Sequence, residues 1–330
     1  MMQGKSSIVN NFGIQETTKH TRWLFSMLGI WFLISKDPLT LQQKLFSIMM
    51  LIFCQSIYLI VLIPGLHYCI LSSEDIKMKI AYAGPTGYTL SCFLKIYAII
   101  FSRNEIKKCI ELMEYKWQEI DNERDNKIMV RNTKQGIQTT IICGMLMYIG
   151  AVLYEMAMPF VPENIVAITS NSTRRSLMHP VSRVLFDSRS SPAYELLYCS
   201  HIILGVFVCT ASVLACNLGA MFVSHLCAQI QIIISRIENL IDTNNEKNSS
   251  LQTQIKVIID FHNKAINFTN HIEEVLSNIC LIEMIASCAL ICLDEYYCIL
   301  VSIIFYKFKT SVFSHIIHSI KLNRLGEIMN

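Results

Sequence analysis

LFSIMMLIFCQSIYLIVLI, residues 45–63, decides the fold, because nineteen consecutive positions carry no Asp, Glu, Lys or Arg. A hydrocarbon core about 30 Å thick is crossed by roughly 20 apolar residues rising 1.5 Å each. Outward from this stretch, residues 80–101, 137–160 and 196–223 meet the same requirement, and the last is again free of those four charged types. A fifth apolar region starts at Val275 but meets Glu283 early and Asp294-Glu295 in its middle. A charge at mid-bilayer costs about 2.5 to 3.5 kcal/mol on insertion scales. The fifth span, 275–293, is therefore expected to end near Leu293, and the apolar run from Tyr296 to Tyr306 is too short to cross alone. The expected fold class is all-α, a polytopic membrane helical bundle.

Composition agrees. Of 330 residues, 52% are hydrophobic and 16% charged, where soluble domains average about 25% charged. No linker or repeat divides the chain, so one membrane domain over 1–306 and a divergent tail over 307–330 are expected. The net charge of +3 is small and dispersed, which gives no reason to expect a nucleic-acid partner. Most of the thirteen cysteines sit inside apolar runs, where a thiol behaves as a small hydrophobe. No zinc-type Cys/His spacing occurs, so neither a metal nor a cofactor is expected. Phosphate-binding loops, zinc-protease helices and nucleophile elbows are absent, and no enzyme is expected.

Lys and Arg set the orientation. Seventeen of them flank the spans on the side that includes the N-terminus, against six on the other side, counted ahead of the C-terminal tail. That bias puts the N-terminus in the cytoplasm. The sequon at Asn171 then falls in an outer loop and is a glycosylation candidate, whereas those at Asn248 and Asn267 fall inside. The segment from Ser102 to Gly136, with eight basic and seven acidic residues, is expected to be a solvated helical surface with four-spaced pairs such as Glu123 to Lys127. His225–Leu240 and Leu251–Leu276 show helical periodicity and extend spans four and five beyond the bilayer, around the polar break Asp242–Ser250. In the second of these, Ile255, Ile258, Ile259, His262, Ile266 and Thr269 mark one face.

The segment RWLFSMLGIWFL (Arg22–Leu33), the His225-x-x-x-Gln229 helix, His262 and the run FTNHIEEVLSNICLIEMIASCALICL resemble the insect odorant receptors, in particular the divergent tuning receptors of ants, bees and wasps. The resemblance covers residues from about 20 to 293. It implies seven spans, a volatile small-molecule odorant as ligand, a shared co-receptor as partner, and a cation channel gated in the plasma membrane of olfactory sensory neurons. Trp31-Phe32 stands where the family has Trp-Pro, and beyond Asp294 the sequence departs from the pattern. Five of the seven spans are expected here, as in a truncated receptor. The alternatives are a non-functional truncated product, a seven-span G-protein-coupled chemoreceptor or a carrier. The second lacks its signature triplet and Asn-Pro-x-x-Tyr, and the third would show paired broken helices where only Gly84-Pro85-Thr86-Gly87 interrupts a span.

Helix faces supply the ligand-binding candidates. Gly84, Tyr88, Ser91 and Lys95 share a face of the second span; Met145, Tyr148, Val152 and Glu155 share one of the third; His201 lies in the fourth. Each mixes aromatic and polar groups, which suits an apolar pocket with a few polar contacts and equally suits helix packing. A bend is the expected consequence of Pro85, and Lys95, six residues from the inner end, is expected to snorkel to the interface.

Overall fold

The computed structural model describes residues 18–36, 38–71, 76–120, 122–157, 160, 192–242 and 248–328, and among them the regular elements are all helical. They are α1 (residues 18–27), α2 (Trp31–Ile34), α3 (Leu41–Leu71), α4 (Ile76–Phe101), α5 (Arg103–Glu119), α6 (Glu123–Ala157), α7 (Ala193–Asp242) and α8 (Asn248–Ile328). Asn171 lies outside the described residues.

Local chemistry sets the helix ends. α1 stops because Gly29 takes φ 71°, while the Gly29 and Ile30 amides donate to the carbonyls of Ser26 and Phe25 at 3.1 and 2.9 Å. That is the double bond of a left-handed glycine cap. α3 starts at a reciprocal box: the Thr40 amide donates to Gln43 Oε1 at 3.1 Å and the Gln43 amide to Thr40 Oγ1 at 3.4 Å. Asn122 caps α6, accepting from the Arg124 amide at 3.1 Å, with Glu123 and Asp125 complementing the helix dipole in the first turn. α8 has no such stop. No proline or glycine occurs between Asn248 and Leu325, so nothing interrupts its hydrogen-bond ladder, which runs through Asp294-Glu295 unbroken.

Four helical stretches are long and apolar enough to cross a membrane: Leu41–Leu71, Glu123–Ala157, Ala193–Ile241 and Leu251–Tyr296. They contain the expected first, fourth and fifth spans and residues 137–157 of the third. The second lies on α4, which has the length but is diluted by Lys95 and Gly84-Pro85-Thr86-Gly87. Burial explains why α4 tolerates this, since Thr86, Thr89, Ser91 and Lys95 are covered by protein. α7 is the central helix: 61% of its most apolar window is buried, against 11% for α6 and for α8. The outer helices leave their apolar faces to lipid, as at Leu146, Leu153, Met284 and Ile285.

Two apolar clusters stack along the bundle. The larger joins Phe25 and Leu28 of α1 with Tyr58 of α3, Ile96 of α4, Leu214 and Phe222 of α7, and Phe268 and Val275 of α8. The smaller joins Trp117 of α5, Met129 of α6, Ile232 of α7 and Phe261 and Ala265 of α8. The buried face of α8 is thus Phe261, Ala265, Phe268, Ile272, Val275 and Ile279; of the face marked by periodicity, Ile258 packs against the smaller cluster while Ile255, Ile259 and Ile266 are exposed. The isoleucines mislead because their spacing is helical whichever way the helix is turned, and the aromatic residues fix the rotation.

Ion pairs frame the smaller cluster. Arg236 donates from Nε and Nη2 to buried Asp125 Oδ2 at 3.2 and 2.8 Å. Lys264 pairs with Glu119 at 2.6 Å and with Asp260 at 2.8 Å. Lys116, its side chain 4% exposed, pairs with Glu119 at 2.7 Å and places its ammonium 2.9 Å from the Phe261 ring centre. Burial pushes the Lys116 ammonium down to about 8 against the upward pull of Glu119. Glu119 itself is raised by burial but held below its ordinary value overall by Lys116 and Lys264. The α5 surface is therefore more than a solvated face, although the expected Glu123–Lys127 pair is present at 2.8 Å.

Two outcomes are expected. A Cβ at Gly29 would collide with the Ser47 and Leu51 backbone and occupy a positive φ, so Gly29→Ala should lower stability by about 2 kcal/mol or more, seen as a lower thermal midpoint in detergent. For Lys116, the unfolded chain holds a proton between pH 8 and 10.5 that the folded chain has released, so its contribution to stability rises with pH across that window. Lys116→Met removes the buried charge and leaves Glu119 paired with Lys264. Its stability gain over wild type should shrink by up to about 3 kcal/mol across the window, and a gap constant with pH would contradict this.

Candidate functional site

Polar side chains inside lipid must find partners within the protein, and α7 supplies them to two neighbours. From α4, Tyr88 Oη lies 3.0 Å from Ser212 Oγ, and Cys92 Sγ lies 3.2 Å from the same oxygen. From α6, Tyr148 Oη lies 2.7 Å from Thr210 Oγ1. Further along, Tyr198 donates to the Glu155 carbonyl at 3.1 Å, and the Glu155 carboxylate packs against Gly205, where a Cβ would displace it. One Glu155 oxygen, Oε1, is buried without a hydrogen-bond partner. His201 is buried on α7. Phe207, Val208 and Leu214 of α7 belong to the larger apolar cluster, Phe207 packing edge-on against Phe53 of α3.

The structure brings Tyr88, Tyr148 and Glu155 onto the seam between α4, α6 and α7. Ser91 is buried beside it, but its hydroxyl donates back to the Tyr88 carbonyl at 2.8 Å. Gly84 is half-buried, with open space where a Cβ would stand. Met145 and Val152 are 52% and 51% exposed, so they sit at the outer edge of the α6 face. The Gly84–Gly87 segment remains helical, with Thr89 Oγ1 donating to the Pro85 carbonyl at 2.9 Å, a contact that bends helices without unwinding them.

Lys95 corrects an expectation. It does not reach the interface: it is fully buried, forms an ion pair with Glu283 of α8, and lies 5.8 Å from the Tyr88 ring centre. A snorkelling lysine needs an open path to water, and α8 closes it. Sequence reasoning also missed Thr210, Ser212 and Asn217. Asn217 donates to Thr21 Oγ1 at 2.7 Å and accepts from Thr140 Oγ1 at 3.2 Å, tying α1 and α6 to α7. The signal was available, since these are polar residues in a span without charge.

One group among the described residues could hold a metal ion: Glu105, His271 and Glu274, whose ligand atoms lie within 4.8 Å of one another. It joins α5 to α8, outside the seam. Lys108 pairs with Glu105 at 2.8 Å and His271 Nδ1 lies 2.8 Å from the same carboxylate, so protein groups already satisfy it. Lys108 first and His271 after it hold Glu105 below its ordinary value. The seam itself offers paired hydroxyls, a carboxylate and neighbouring apolar side chains.

An all-helical bundle with several helices long and apolar enough to span a bilayer defines a multi-pass membrane protein. The family described as 7tm Odorant receptor matches residues 80–319, and the chain belongs to that family, which is one of receptors and not of enzymes. The fold is similar to that of the insect olfactory receptor OR5 from Machilis hrabei, at TM-score 0.62 and 15% identity, covering 86% of this chain and 71% of that one. The same receptor in complex with eugenol gives TM-score 0.64 at 14% identity, with the same coverage of both chains. No curated protein matches the sequence.

The Lys95–Glu283 pair yields a test. Lys95→Met strands a carboxylate beside lipid and should cost about 3 kcal/mol, whereas Lys95→Met combined with Glu283→Met should return the thermal midpoint close to wild type. Additive losses would show that the two residues do not interact.

Proposed function

We propose that the chain is an odorant-binding receptor subunit that holds a volatile small molecule in the α4–α6–α7 seam and, with a co-receptor, gates a cation channel. Its place is the plasma membrane of an olfactory sensory neuron, with the N-terminus in the cytoplasm. The observation that carries this reading is the family match over residues 80–319, a range that contains every seam residue from Tyr88 to Ser212. Site chemistry supports it. The Tyr88–Ser212 and Tyr148–Thr210 hydroxyl pairs can each release a donor to a carbonyl or hydroxyl on the ligand at little cost, because a hydroxyl rotates. Apolar walls supply the rest of the affinity. Gating follows if ligand binds one arrangement of the helices better than the other, since only differential affinity shifts a population. Lys95, beside Tyr88 and paired with α8, gives the seam a physical connection to the longest helix.

Co-expression with a co-receptor in an odorant-naive cell, with current recorded across a volatile panel that includes eugenol, tests the proposal. An odorant-evoked cation current is expected. Tyr148→Phe should weaken the response to oxygen-bearing volatiles about fivefold, the worth of one hydrogen bond, and leave hydrocarbon volatiles unchanged. No current to any volatile, with the protein present at the surface, would overturn it.

A further inference from the structure

Beyond the membrane, α7 carries a row of isoleucines that its neighbouring helices leave open. Ile230, Ile234, Ile237 and Ile241 are 45%, 49%, 41% and 62% exposed, whereas Ile232 and Ile233 between them are buried. Steps of four, three and four residues put the exposed set on one face, the seam spacing of a coiled-coil helix. Counted from the end of the fourth span at Val223, the row lies about 10 to 27 Å from the hydrocarbon at 1.5 Å per residue. The headgroup layer is only about 5 to 8 Å deep, so lipid does not reach the row. Contiguous apolar surface that a folded protein leaves to water is characteristic of a contact with another protein.

The neighbouring helix sets the charge of what fits. Arg124, Lys127 and Arg131 of α6 run beside the row and, with Ile234, line an open groove of 730 Å³. Arg131 Nη2 donates to Gln231 Oε1 at 2.9 Å and Arg124 Nη1 to Asn239 Oδ1 at 2.8 Å, which fixes the cations along the edge of the row. Two carboxylates share that edge. Glu123 pairs with Lys127 at 2.8 Å and Glu238 faces Arg124 at 3.9 Å, but all four side chains are more than half exposed, so these pairs are weak and open readily. Arg131 meets neutral Gln231 in place of a carboxylate. We infer that this surface docks an amphipathic helix of a water-soluble partner protein, with its apolar ridge on the four isoleucines and a line of carboxylates along the edge that meets Lys127 and Arg131. A second copy of this chain does not supply such an edge. The exposed apolar ridge of α8, Ile255, Ile259 and Ile266, is flanked by Lys256, Asn263 and Asp260, and Asp260 already pairs with Lys264 at 2.8 Å. With the N-terminus in the cytoplasm, as proposed above, the partner is cytosolic.

The full chain in phosphatidylcholine nanodiscs tests this with a labelled peptide of about three heptads, Leu at positions a and d and Glu at e and g, read by fluorescence anisotropy against empty discs. Saturable binding is expected, and the same peptide with Lys in place of Glu should bind at least about tenfold more weakly. Lys127→Gln combined with Arg131→Gln should weaken the Glu peptide about fivefold or more and leave the Lys peptide no weaker. Ile234→Ser combined with Ile237→Ser should weaken it by about the same factor. Because the replaced side chains are exposed, both double variants should keep the wild-type thermal midpoint. The Ile237→Cys thiol should react with a water-soluble maleimide in the chain alone and be protected by the Glu peptide. The inference is overturned by no saturable binding, by equal binding of the two peptides, by wild-type affinity in either double variant, or by loss of affinity only where the midpoint also falls. Protection of the Ile237→Cys thiol without peptide overturns it too, and is the result expected if a second copy occupies the row. No odorant or current enters these readouts, so this inference and the proposed receptor function fail separately.

Discussion

Thr210, Ser212 and Asn217 stand in the middle of α7, where hydrocarbon offers them nothing to bond, and the packing of the bundle answers that constraint. Their partners come from three neighbours: Tyr148 of α6 for Thr210, Tyr88 and Cys92 of α4 for Ser212, and Thr21 of α1 with Thr140 of α6 for Asn217. Apolar contact among helices in lipid carries little preference for one arrangement over another, because the solvent is as greasy as the side chains. The hydroxyl and amide pairs supply that preference. They set which face of α4 and α6 turns toward α7, and the remaining apolar surface of the outer helices is left to the membrane.

The same pairs make the seam suitable for a ligand. Hydroxyls satisfied by one another need no water and can be re-partnered, whereas an ion pair such as Lys95–Glu283 is far harder to open in a low dielectric. The bundle thus has an adaptable polar zone at Tyr88, Tyr148, Thr210 and Ser212 next to a stiff tie between α4 and α8. At the other end, the cluster around Phe261, with Lys116, Glu119, Lys264, Arg236 and Asp125 about it, holds α5, α6, α7 and α8 together in water by aromatic packing and charge. The two ends obey different solvents, and their chemistry divides accordingly.

Much of the fold is legible in the sequence, because a charge-free run of nineteen residues at 45–63 admits few interpretations and the absence of Pro and Gly after Asn248 explains the unbroken α8. Faces are harder. Periodicity locates Tyr88, Tyr148 and Glu155 on helix faces that do meet α7, but it cannot separate them from Met145 and Val152, which lie within the same arc and look outward. It fails on α8, where the isoleucines obscure the aromatic seam. Lys95 departs from its expected exposure for a related reason: position along a span is visible in one sequence, but the helix that covers it is not. Partners distant in the chain, such as Ser212 for Tyr88, come only from the three-dimensional packing.

The most direct measurement uses the thiol already present at Cys92. Ser212→Cys places a second thiol opposite it, since Sγ of Cys92 and Oγ of Ser212 are 3.2 Å apart. In membranes, mild oxidation should join the two, with both thiols becoming resistant to maleimide and recovering on reduction. If both remain freely alkylated after oxidation while the protein is folded, α4 does not pack on α7 as described, and the seam that organises the bundle does not exist.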